Sequence, residues 1–151
     1  MPSWRDTASP QAQADMDELL NAAIPFAQEQ LAKHGELYPY GAAITTDGDI
    51  KLLGAHSGTE NPRSQTVIDT LIKGAAQELS RLRAVALVAD VRVSSGGGDA
   101  VRVELEHREG LALTVLLPYV KRSFGRGIQF QQMSAAQGVR RFWPAPTDRP
   151  S

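Results

Sequence analysis

The chain has no cysteine. That one absence excludes disulfides, thiolate zinc sites and cysteine nucleophiles together, and it fits a reducing compartment. No apolar run approaches the roughly 18 residues of a membrane-spanning helix. The opening MPSWRDTASPQAQAD lacks the apolar core of a secretory signal. A cytoplasmic protein without membrane contact is the expectation. The signatures that announce chemistry are missing as well. The sequence contains no G-x-x-x-x-G-K-[ST] phosphate loop, no H-E-x-x-H zinc helix, no calcium loop, no G-x-S-x-G elbow and no deaminase pair of H-x-E with P-C-x-x-C. No catalytic residue, metal or cofactor is therefore expected.

What the chain does contain is a meander. Residues 84–121 read AVALVADVRV, then SSGGGD, then AVRVELEHREG, then LALTVLLPYVK. In the middle segment Val101, Val103, Leu105 and His107 alternate with Arg102, Glu104, Glu106 and Arg108. Successive side chains of a strand point to opposite faces, so one face is apolar and the other charged. The flanking segments are more continuously apolar, which predicts cover on both faces for part of their length. Glu109-Gly110 marks a tight hairpin turn, because glycine supplies positive φ. The triple glycine at 96–98 leads into a strand rather than a helix N-terminus, so it reads as a loop and not as a phosphate cradle.

Before the meander, Met16, Leu19, Leu20, Ala23, Ala27 and Leu31 recur at helical spacing. Pro25 lies inside this stripe, and the pattern predicts a helix kinked or split near residues 21–24 and closed by His34-Gly35. Two strands follow over residues 37–46 and 49–56, joined by the hairpin signal Asp47-Gly48. A polar loop precedes Pro62, which opens a second helix with the stripe Ile68, Leu71, Ile72, Ala75, Leu79 and Leu82, ending near Arg83. After the meander, residues 127–133 read as an edge strand carrying Ile128 and Phe130. Residues 134–138 read as a turn, and residues 139–143 as an extended piece that packs Phe142 and Trp143 on the body.

The resulting order is α-β-β-α-β-β-β-β: an α+β domain with two main helices and a mostly antiparallel sheet of five to six strands. One domain over 1–151 is expected. Its ordered core covers about 12–143, with mobile ends at 1–11 and 144–151. Over residues 15–121 this element order resembles the roadblock and profilin-like folds, in which helices cover a five-stranded antiparallel sheet. The resemblance implies a tendency to dimerise. The blocks ELYPYGAAITTDGDI and VRVELEHREGLALTVLLPYVKR are similar to blocks of small bacterial proteins of unknown function, a likeness that implies no activity.

Charge is uneven. From residue 118 to the end, Lys121, Arg122, Arg126, Arg140, Arg141 and Arg149 face Asp148 alone, a surplus of five, and the body before it carries minus six of the total of minus one. Arg140 and Arg141 beside Phe142 and Trp143 combine charge with stacking surface, as single-strand binders do. The acidic body argues against a nucleic-acid partner. His34 reads as a helix-end cation. His56 stands with Ser57 and Glu60 without the strained turn or oxyanion hole of a triad. His107 reads as partly buried, and Asp47 and Asp49 as turn residues. Glu104 and Glu106 read as a solvated charge ladder.

The functional expectation is a non-enzymatic protein-binding or self-associating module. A homodimer or protein partner would meet it through Ile128, Phe130, Arg140, Arg141, Phe142 and Trp143. The alternative is a small-ligand binder or enzyme using Tyr38, Tyr40, His56 and Glu60, because Tyr38-Pro39-Tyr40-Gly41 can line a pocket at a strand entrance.

Overall fold

A computed structural model describes residues 8–54, 64–93, 98–121 and 127–143. The first helix, α1 (Pro10–His34), starts where the sequence supplies a cap: the Ser9 hydroxyl accepts from the Ala12 N–H at 3.1 Å, and Pro10 takes the first turn. It ends at Gly35, whose φ of 70° closes the helix through an N–H bond to the Leu31 carbonyl. The helix runs unbroken through Pro25, not in two pieces. Pro25 and Asn21 both lie on the exposed side, so the carbonyl that loses its donor remains open to water. The buried side is fixed by Ala12, Met16, Leu19, Ala23, Ala27 and Leu31, packed along the sheet.

Strands β1 (Tyr40–Thr45) and β2 (Ile50–Leu53) form a hairpin across Gly48, which has φ of 92°. Helix α2 spans Ser64–Gln77; Pro62 lies outside the described residues. The helix stops earlier than its stripe suggests. A short 3₁₀ turn at Leu79–Arg81 intervenes, and Leu82 belongs to β3 (Leu82–Arg92). An apolar residue at Leu82 continues either period, and the tertiary pairing with Thr45 decides between them. Strands β4 (Asp99–His107) and β5 (Leu111–Lys121) complete the meander. Two short strands close the described chain: β6 (Ile128–Phe130) and β7 (Ser134–Gln137).

The α+β class and the element order match the sequence reading, with one addition. Residues 134–137 are a strand, not a turn, and among the described residues the antiparallel sheet has seven strands. Its order is β2-β1-β3-β4-β5-β6, with β7 also beside β5. The break between β6 and β7 has a chemical cause. Pro118 accepts from the Gln131 N–H at 2.8 Å, so its backbone faces the rim and its missing N–H falls on that side. The ladder slips there and resumes from Leu116↔Ser134.

The sheet separates two cores. On the α1 side, Ala84, Ala86, Val88, Val101, Val103, Leu105, Leu113, Val115 and Leu117 meet the helix stripe. On the other side, Val67, Leu71 and Ala75 of α2 cover Ala43, Val85 and Leu87. Helix α2 lies mainly over β1 and β3, leaving much of β4 and β5 to be covered by other means.

Candidate interaction surface

The uncovered part of the sheet is met by the chain's own C-terminal segment. Glu106 points to the α2 side of β4 and is 3% exposed. Its Oε1 accepts the Arg141 N–H at 2.6 Å and the Phe142 N–H at 3.1 Å. Its Oε2 accepts Phe142 at 3.0 Å and Trp143 at 2.7 Å. The Arg141 guanidinium forks onto Glu104 at 3.0 and 3.1 Å. The two carboxylates are therefore not a solvated ladder. They hold a strap of three residues by its backbone, and a buried carboxylate is tolerated because donors surround it. Phe142 and Trp143, 6.1 Å apart with rings at 66°, pack on the α2-side core. Alternation on β4 reveals the two faces but not what lies on each of them, so the sequence carried no signal for this use of Glu106.

A second buried polar group ties the opposite face of the same strand end. Asp15, at 1% exposure, sits on the apolar stripe of α1. Its Oδ1 accepts Gln11 at 2.8 Å and Arg83 at 3.1 Å; its Oδ2 meets His107 Nε2 at 2.8 Å. His107 Nδ1 accepts the Glu109 N–H at 3.1 Å, so Nε2 carries the proton and donates to Asp15. Arg83 reaches this side because it is the extra residue of a bulge: Ile44 pairs with Ala84 but Thr45 with Leu82. His107 is wholly buried rather than partly so. A His-Asp pair resembles catalytic machinery, but no substrate reaches groups so enclosed, and the arrangement acts as a clamp. Asp15 was legible only as a polar residue at apolar-stripe spacing.

The remaining expected residues are scattered. Tyr40 is buried, and its hydroxyl donates to the Ala23 carbonyl of α1. Burial pushes its phenol well above the ordinary range, and the Ala27 backbone amide offsets little of that shift. Tyr38 is exposed, so the two tyrosines do not line one pocket. His56 and Glu60 lie outside the described residues. Ile128 and Phe130 pack on the α1-side core, with Phe130 6.1 Å from Tyr119, whereas Phe142 and Trp143 pack on the opposite face. Arg140 and Arg141 are exposed, and Arg141 is engaged by Glu104. The six partner-binding candidates thus divide between two faces.

The rim itself is the open feature. Residues 127–139 read GIQFQQMSAAQGV, with no charge and no proline. All four residues of β7 are exposed, and Met133 and Val139 at its ends are 45% and 64% exposed. The Gly138 N–H bonds inward to Ala112 at 3.0 Å. Backbone groups alternate in direction, so those of Ala135 and Gln137 point outward, where no strand pairs among the described residues. Behind β7 lies a recess of about 150 Å³ with a mostly apolar lining, Met16, Leu20, Leu105, Leu113, Val115 and Met133, to which Asp17 and Ser134 add polar groups. The opposite rim differs: β2 carries Lys51, paired with Glu78 at 3.7 Å, and follows Asp47 and Asp49.

No protein-family model, no curated protein and no solved structure matches this chain. The likenesses of element order and sequence blocks therefore stand without a matched relative. Among the described residues no helix is long and apolar enough to cross a membrane.

Proposed function

We propose that this chain is a non-enzymatic protein-binding module that self-associates by strand addition along β7. The observation that carries the reading is the uncharged, proline-free rim with outward backbone groups at Ala135 and Gln137. Edge strands that must stay single are ordinarily blunted with lysine, proline or a cover, because an open ladder pairs with any other strand. The β2 rim carries such charges and the β7 rim does not. Strand addition uses the backbone for affinity and adjacent apolar recesses for selectivity, and the recess behind β7 supplies the second element. The basic segment supports nucleic-acid binding less well, since Arg141 is held by Glu104 and both rings of Phe142 and Trp143 face the body.

Light scattering over a concentration series tests the reading, with Ala135→Pro as the probe. The Ala135 N–H points outward, so proline there removes a donor to an added strand while leaving the bonds to β5. The wild type is expected to approach twice the monomer mass and Ala135→Pro to remain monomeric with unchanged circular dichroism. A wild type that stays monomeric at every concentration refutes it.

A further inference from the structure

We infer that the strand added along β7 is the β7 of a second copy, paired antiparallel about a two-fold axis at Ala136; this inference rests on the self-association reading above. Four independent features of the rim agree on that register. A two-fold axis through a continuous sheet keeps each face on its own side, so residues on one face must oppose residues on the same face. Ala135 and Gln137 face the α1 side, because they stand opposite Val115 and Leu113 of that core. Pairing about Ala136 sets Ala135 against Gln137 of the second copy and preserves the faces.

Hydrogen bonding gives the same answer. Ala135 and Gln137 are the two residues of β7 with outward backbone groups, and this register makes them opposing partners that exchange both bonds. At the axis Ala136 meets its own copy in the closer, non-bonded type of pair, which suits a methyl side chain. Finally, the two large exposed apolar residues of the rim, Met133 and Val139, lie three positions either side of Ala136. The axis puts Met133 of one copy opposite Val139 of the other, twice. A surface complementary to itself in this way is what a closed dimer needs, and each protomer then covers the other's open rim.

The absence of cysteine makes the register directly measurable. In the full chain, Ala136→Cys places two thiols across the axis at a Cα separation of about 4.5 Å, inside the disulfide window. Ser134→Cys places its thiols about 14 Å apart along the antiparallel strands, outside it. Under mild oxidation Ala136→Cys is expected to form covalent dimer at least tenfold faster than Ser134→Cys. Equal rates, or faster crosslinking at residue 134, overturn the register. If Ala136→Cys fails to crosslink while light scattering still gives a dimer abolished by Ala135→Pro, the register falls and the proposed module stands. A monomer at all concentrations brings down both.

Discussion

Replacing Glu106 with glutamine tests whether one carboxylate holds the C-terminal strap. The carboxylate offers two oxygens to three consecutive amides, with contacts from 2.6 to 3.1 Å. Glutamine keeps one oxygen. If that oxygen takes the place of Oε2, Phe142 and Trp143 keep an acceptor, but the Arg141 N–H then faces an NH₂ group. One charge-assisted bond is lost, about 1.5–3 kcal/mol, and the surviving bonds lose their charge. The neutral amide is easier to bury than the carboxylate it replaces, which pulls the net loss toward the lower end. A loss of that size shifts the seated fraction roughly 10- to 150-fold. Amide hydrogen exchange reads the shift directly, because the amides of Arg141, Phe142 and Trp143 open with the strap. Glu106→Gln should speed their exchange by that factor while the core amides of β3 and β4 keep their protection. Free-chain exchange of these three amides in the wild type, or a change below about threefold in the variant, would refute the argument.

Two further outcomes follow from particular contacts. A Cβ at Gly138 would stand 2.7–2.9 Å from the Leu113 backbone, so Gly138→Ala must push the end of β7 away from β5; a loss of about 1–3 kcal/mol is expected in urea unfolding, as for other overpacked sites. Asp90 accepts from the Tyr119 hydroxyl at 2.6 Å, and its pKa is raised, chiefly by burial. A carboxyl raised in the folded state binds its proton more readily there than in the unfolded chain, so wild-type stability falls as pH rises from the ordinary aspartate value through the folded one. Asp90→Asn, which keeps an acceptor for Tyr119, should remove that slope. Denaturation midpoints compared at acid and neutral pH would show the variant gaining on the wild type as pH rises, and a gain toward acid would contradict the shift.

The parts of the fold legible in the sequence were those fixed by local periodicity. The alternation in β4 identified Val101, Val103 and Leu105 as core, and all three are buried. Gly35, Gly48 and Gly110 announced a helix end and two hairpins, and all three have positive φ. What escaped was set by distant partners. Ser134-Ala135-Ala136-Gln137 has no strand propensity of its own and is extended because β5 offers it a ladder. Glu106 looked solvated because nothing nearby in the sequence says that residues 141–143 return to it. Arg83 gave no sign of the bulge that aims it at Asp15, since the bulge arises from pairing with β1. The helix is not split at Pro25 because the stripe around it is packed along the sheet, and packing outweighs one lost bond.

The clamp between α1 and the β4–β5 turn also sets an order of events during synthesis. Asp15 and His107 are 92 residues apart, and Ser9 and Glu109, joined at 2.8 Å, are 100 apart. At about 5–20 residues per second, α1 leaves the ribosome on the order of 5–20 s before its polar anchor exists. During that interval its stripe of Met16, Leu19, Ala23 and Leu31 can meet only the core residues of β1 and β3, while those of β4 and β5 are still to come. The first helix is therefore fastened in stages, and its ties to His107 and Glu109 wait for the β4–β5 turn.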